Sequence, residues 1–178
     1  AGPAGMAFAV NAAERGHQVT LFDSANKIGG QFNIAKQIPG KEEFEETLRY
    51  FAKQIELHNI ELKLNTRVES ESLNTSDFDE VVLATGIAPR TPAIEGVDHD
   101  KVLSYLDVIA QRKPVGKKVA VIGAGGIGFD VSEFLAHSGE ATSLNIPAFM
   151  KEWGVDMTLA ARGGIEGIQA EVSPPARE

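Results

Sequence analysis

Two glycine clusters carry the chemistry this sequence can do. At the start, Ala1, Gly2, Pro3, Ala4 and Gly5 fill the last five places of the pattern G-x-G-x-x-G, whose first glycine is missing. Further on, Gly123, Ala124, Gly125, Gly126, Ile127 and Gly128 fill all six. In this pattern one glycine makes a tight turn, one lets bare backbone meet a diphosphate, and one lets a helix lie close on a strand. The helix that follows faces the phosphates with free N–H groups and a partial positive charge. The chemistry indicated is dinucleotide binding, at two separate points. A purely structural glycine turn is the competing account for each.

Other residues bear on that choice. A nucleotide fold of this kind places an acid about 20 residues after the glycines, where it accepts hydrogen bonds from ribose hydroxyls. Asp23 stands 18 positions after Gly5 and ends the apolar run VTLFD. A carboxylate there accepts a 2′-hydroxyl and repels a 2′-phosphate, so this half suits FAD or NAD rather than NADP. Its alternative role is to cap the next turn. In the second half the same spacing reaches Ala148, which offers neither an acid nor a basic pair. The stretch Gly29–Phe32, GGQF, contributes Gly30 for close backbone approach and the Gln31 amide for hydrogen bonding. Ala84, Thr85 and Gly86 close the apolar run VVLATG, at the carboxyl end of an expected strand, where open α/β sheets bind ligands.

The elements that must position these groups can be read from periodicity. Residues 3–15 read as a helix, with Pro3 in its first turn and Gly16 as a left-handed stop. HQVTLFD reads as a buried strand. KEEFEETLRYFAKQIELH is amphipathic, with Phe44, Leu48, Phe51 and Ile55 at helical spacing. IELKLNTRV alternates like a strand, and DEVVLATG and KVAVI read as further buried strands. Residues 87–116 hold three of the eight prolines and one apolar patch, VLSYLDVIA, and read as a connector. FDVSEFLAH continues the second glycine cluster as a helix, so the strand–glycine–helix plan occurs twice. After Ser138 the signal weakens to one short helix around AFMKEW and an irregular Gly/Pro/Ala-rich tail. The expected fold class is α/β: a Rossmann-like FAD/NAD(P)-binding fold, parallel sheet with flanking helices, truncated at both ends. Residues 1–112 form an FAD-binding segment lacking its first strand, and residues 113–178 open an NAD(P)H-binding segment.

Composition narrows the partners. The 178 residues carry 17 basic and 25 acidic side chains, a formal net charge of -8, which disfavours nucleic acid and anionic lipid. There is no cysteine, so thiolate nucleophiles, disulfide redox pairs and iron–sulfur ligands are absent from these residues. No apolar run approaches the roughly 18 residues of a membrane span, and cytoplasm is the expected compartment. His17, His58, His99 and His137 are scattered without ligand or triad spacing, so no metal site is expected. The acidic run EEFEE reads as a solvated helix face, Lys41 as a surface lysine, and Ser104 and Ser132 have no nucleophile context.

The succession of the two fingerprints, the acid, GG and ATG is that of two-dinucleotide flavoproteins. Within that group GGQFNIAKQIPGKEEFEETLRYF, ATGIAPRTPAIEGVDHDKVLSYLDV and VAVIGAGGIGFDVSEFL resemble the bacterial NADPH-dependent 2,4-dienoyl-CoA reductases. Trimethylamine dehydrogenase and the enoate reductases belong to the same flavoenzyme group. The resemblance covers nearly the whole chain. It implies a longer enzyme of fatty acid β-oxidation, with a β/α barrel holding FMN and an iron–sulfur cluster, both outside this sequence. Electrons would pass from NADPH through FAD toward an unsaturated acyl-CoA. It also implies that Gly2, Ala4, Gly5, Asp23 and Gln31 contact FAD, that Val68 meets the adenine through its backbone, and that Thr85 and Gly86 line the same cofactor. Gly125, Gly126, Ile127 and Gly128 would approach the NADPH diphosphate. No catalytic acid or base is matched, so the piece by itself is expected to be inactive. The expected partners are the dinucleotides and the barrel domain, with self-association where a sheet edge is exposed. The alternative is a nucleotide-binding or structural fragment without turnover.

Overall fold

The structure is a computed structural model describing residues 1–71, 73, 77–139, 141–167 and 175–177. It divides into two units. The first comprises Ala1–Gln37 and Lys41–Leu103, the second Ile38–Gly40 and Ser104–Glu178.

The first unit is built around one parallel strand pair. Helix α1, Pro3–Glu14, opens with proline in its first turn and buries Met6, Ala9 and Val10, an i, i+3, i+4 face. It ends in a Schellman turn: His17 N–H donates to Ala12 O and Gly16 N–H to Ala13 O, with Gly16 at φ 93°. Strand β1, Thr20–Phe22, follows, then the short helix α2, Phe32–Ala35, and the amphipathic α3, Phe44–Leu57. Helix α3 buries Leu48 and Ile55 and closes with the same turn, here with Asn59 as the left-handed residue at φ 52°. Asparagine tolerates that conformation because its short side chain bonds locally. Strand β2, Glu61–Lys63, then pairs parallel to β1 in the register Thr20↔Glu61, Leu21↔Leu62 and Phe22↔Lys63. A crossover helix between parallel strands is the α/β arrangement. Met6, Ala9, Val10, Leu48, Ile55 and Ile60 form the core, with Leu21, Ile28, Phe32 and Leu62 packed on it.

The second unit begins with a π-helical turn, Leu106–Ala110, that buries Val108 and Ile109. Ser104 and Asp107 cap it reciprocally: the serine N–H and hydroxyl donate to the carboxylate, and the Asp107 N–H donates to the serine oxygen. Helix α4, Gly126–Ala136, packs on this turn, and the Arg112 guanidinium lies 4.5 Å from the centre of the Phe134 ring. Helix α5, Ile146–Glu152, is capped by the Asn145 side chain, which accepts from Ala148 N–H.

Three expectations need correcting. Residues 79–86, expected as a buried strand, form none, and Leu83 is 84% exposed. KVAVI, residues 118–122, is likewise no strand, and Ile122 is 79% exposed. An apolar run becomes a strand only when a neighbour accepts and donates its backbone hydrogen bonds. Among the described residues β1 and β2 pair only with each other. The third correction concerns the tail after Ser138. The short helix expected around AFMKEW is present as α5. The stretch that follows, expected to be loop or disordered, holds an antiparallel bridge between Val155 and Ile165 and a tight turn around Asp156, which is 4% exposed. Residues 168–174 and 178 of that tail lie outside the described residues.

Candidate dinucleotide sites

The first glycine stretch enters α1 with Gly2 as its extended N-cap and no side-chain cap. Met6 N–H takes Gly2 O at 2.9 Å, and Pro3 has no N–H, so the donors left at the helix start are those of Ala4 and Gly5. Gly5 is buried, and a Cβ there would stand 3.5 Å from both the Ala84 Cβ and the Leu21 Cδ1. The structure therefore brings Ala84 to the first glycine stretch although the strand expected to carry it is missing.

The double-glycine loop lies directly on this stretch. Gly29 N–H donates to Ala1 O at 2.8 Å. A Cβ on Gly30 would come within 3.0 Å of the Gly2 Cα, and Gly30 sits at φ 48°, so both space and conformation favour glycine. Gln31 follows at the exposed start of α2.

Asp23 stands immediately after β1. Its Oδ2 accepts from the Ala1 ammonium at 2.7 Å and its Oδ1 from Ala25 N–H at 2.8 Å. Burial pushes this carboxyl up, but the Ala1 hydrogen bond, the Ala25 hydrogen bond and the ammonium charge outweigh it. Its pKa lies below the ordinary carboxylate value. A carboxylate has about four lone-pair sites. The two bonds above leave acceptor capacity for sugar hydroxyls, and the side chain is 19% exposed. Ala1, Gly2, Gly5, Asp23, Gly30 and Ala84 are thus gathered at one end of β1. Val68, Thr85 and Gly86 are exposed, and among the described residues no hydrogen bond ties them to this group.

The second stretch has the same plan. Gly123 takes φ 118°, Gly125 is the extended N-cap of α4, and no side chain caps the helix. A Cβ on Gly128 would fall 1.9 Å from Gly123 O, a contact that only glycine avoids. Around Gly125 and Gly126 nothing lies within 4 Å of an added Cβ. The N–H groups of Gly126, Ile127 and Gly128 precede the first intrahelical bond, from Phe129 N–H to Gly125 O. One stretch of backbone is locked by close approach, and the next has no neighbour within 4 Å of an added Cβ. No group of three or more His, Asp or Glu side chains that could hold a metal occurs among the described residues. Nor is any of their helices long and apolar enough to cross a membrane.

Two features escaped the sequence reading. Asn33 donates from Nδ2 to Ile28 O at 2.8 Å and so braces the double-glycine loop. An Asn four residues after the first of two glycines, at the head of a short helix, is the only sequence signal for it. Asp156 accepts from the Thr158 N–H at 2.7 Å and hydroxyl at 2.6 Å. The D-x-T spacing of an Asx turn is visible in GVDMT, but lay in a stretch read as irregular.

Comparison with known sequences agrees with this geometry. The sequence model described as pyridine nucleotide-disulphide oxidoreductase matches residues 1–162. The chain belongs to this family. Membership makes the fold the Rossmann-like FAD/NAD(P)-binding type, with a parallel sheet and flanking helices. The disulphide of the family name has no thiol to form from in these 178 residues. An NADH oxidase of Thermoanaerobacter brockii is 32% identical over 90% of this chain and 25% of its own length. A cinnamate reductase of Clostridium sporogenes is 37% identical over 80% of this chain and 21% of its own. Among solved structures, a 2-naphthoyl-CoA reductase complexed with 2-naphthoyl-CoA superposes with a TM-score of 0.72 at 38% identity. That match covers 76% of this chain and 21% of the reductase. The chain thus spans a fifth to a quarter of the length of these relatives, all of them oxidoreductases by name.

Proposed function

We propose that this pyridine nucleotide-disulphide oxidoreductase chain is the electron-transfer part of an NADPH-dependent flavin reductase similar to the 2,4-dienoyl-CoA reductases. In this reading residues 1–112 hold FAD and residues 113–178 open the NADPH segment. The observation that carries it is the assembly at the end of β1, where the double-glycine loop is hydrogen-bonded to the fingerprint beside Asp23. The Ala4 and Gly5 N–H groups, with the α1 dipole behind them, donate to the FAD diphosphate, Gly2 and Gly30 leave it room, and Asp23 accepts from the ribose. Gln31, Val68, Thr85 and Gly86 extend that contact. Gly123 and Gly128 set the second turn, so that Gly125, Gly126 and Ile127 present bare backbone to the nicotinamide nucleotide. Bound there, the flavin supplies two-electron acceptance from reduced nicotinamide and onward delivery to the acceptor. The neighbouring likeness to a 2-naphthoyl-CoA reductase supports an acyl-CoA as the final acceptor, reduced by parts of a longer enzyme.

One observation favours a second reading, a nucleotide-binding piece without turnover. The apolar runs at 81–83 and 121–122 stand open instead of completing a sheet beneath the sites. The two readings separate when the chain is mixed with FAD, freed of excess by gel filtration, and treated with NADPH without air. Retained visible flavin absorbance that NADPH bleaches supports electron transfer. Retained absorbance without bleaching supports the second reading, and a colourless protein overturns both.

A further inference from the structure

The double-glycine loop would drift if nothing held its backbone. Gly29 sits at φ 116° and Gly30 at φ 48°, conformations that only glycine enters freely, so the loop has little stiffness of its own. It is nevertheless fixed from three sides. Its Gly29 N–H reaches Ala1 O, and its Gly29 and Gly30 carbonyls accept from Phe32 N–H at 2.9 Å and Asn33 N–H at 3.1 Å. The remaining carbonyl, of Ile28, accepts only a side-chain bond among those described, from Asn33 Nδ2 at 2.8 Å. Space is equally tight: a Cβ on Gly29 would fall 2.6 Å from that same Nδ2 and 2.8 Å from the Leu48 Cδ2. Asn33 is itself held, since Gln37 Nε2 donates to its carbonyl at 2.9 Å.

We propose that Asn33 is a positioning residue for dinucleotide binding, setting the gap between the Gly29–Gly30 loop and Gly2 through its bond to the Ile28 carbonyl. The inference rests on the FAD reading above. Gly30 and Gly2 are already near contact, so a shift of the loop by a few tenths of an ångström changes how closely the Gly30 backbone lies on Gly2, and with it the backbone surface offered to the diphosphate. Asn33 touches no ligand in this scheme. It acts on the loop alone, by preorganisation.

The test measures FAD affinity, by quenching of flavin fluorescence, in the unsubstituted chain, Asn33→Ala, Asn33→Asp and Asn11→Ala. Asn11 is the control, because its Nδ2 also donates to a backbone carbonyl, Ala7 O at 2.9 Å, but on the exposed side of α1. Titrations are run well below each variant's melting midpoint, so that lost stability alone leaves the measured Kd unchanged. Both Asn33 variants are expected to bind FAD about tenfold more weakly or worse, with Asn11→Ala unchanged. Equal affinity of the Asn33 variants overturns the inference while leaving the FAD reading intact, whereas failure of the unsubstituted chain to bind overturns both. Amide NMR of the unsubstituted chain gives a check that needs no variant. The Gly29 and Gly30 signals must move on FAD addition while those of Gly16 and Gly40 stay, and unmoved Gly29 and Gly30 signals in a chain that binds FAD overturn the inference.

Discussion

Gly126 and Gly128 sit two residues apart and answer to different forces. At Gly128 a methyl group would strike Gly123 O, so Gly128→Ala is expected to destabilise the second unit by about 1–3 kcal/mol, the usual range for overpacking, measured by urea denaturation. At Gly126 a methyl group meets nothing, so Gly126→Ala is expected to leave stability unchanged or slightly raised. On the proposed function it nonetheless weakens nicotinamide nucleotide binding, because the clear backbone is what the ligand needs. A titration of both variants checks the split. Asp156 gives a prediction in pH. Hydrogen bonds from the Thr158 hydroxyl and the N–H groups of Ala161, Thr158 and Ala160 draw its carboxyl down to about 2, against the upward push of burial. A carboxyl whose pKa is lower folded than unfolded stabilises fully above its ordinary value near 3.8, and the gain drains away as pH falls through about 2. The single tryptophan, Trp153, lies just before this turn and reports on it by fluorescence. Asp156→Asn is expected to unfold more easily at neutral pH and to lose that acid-dependent step. The second fingerprint was legible because the spacing of Gly123 and Gly128 encodes a contact five residues long. Asn33 was not, because its partner is set by how α2 turns back on the loop.

Helices were the most legible elements. In α1, α3 and α4 the apolar spacing and the stop residues are local properties, and the structure places each within a few residues of where periodicity does. The π-helical form of Leu106–Ala110 was not legible, since nothing in VLSYLDVIA distinguishes it from an ordinary turn of helix. The strands at 79–86 and 118–122 failed for a different reason. Their apolar composition describes a preference for burial, but a strand exists only by virtue of its neighbour, and a sequence pattern does not report who that is. Helix α1 and helix α3 carry the core instead. Met6→Ala, at a fully buried position on α1, is expected to cost about 2–5 kcal/mol in thermal or urea unfolding of the first unit, and Leu48→Ala on α3 a similar amount.

At the scale of the molecule the open apolar runs matter most. Val81, Val82, Leu83, Ile87 and Ile122 are large, exposed and rich in β-branched residues, the composition that pairs edge to edge when chains meet. A net charge of -8 opposes such contact at low salt, and salt screens it. The chain is therefore expected to associate with rising concentration and ionic strength, as read by sedimentation velocity. Leu83→Lys should reduce that association without lowering the melting temperature, because Leu83 packs on little. Association unaffected by this change would place the contact elsewhere on the surface.

Both α1 and α4 begin without a side chain to cap them. Small oxyanions satisfy such helix starts. On the proposed function, phosphate or sulfate in a buffer is therefore expected to compete with the nucleotide for the same donors and to raise the apparent melting temperature by mass action. Affinities measured in phosphate would come out too weak and stabilities too high, so titrations of this chain belong in an amine buffer with chloride as the counterion.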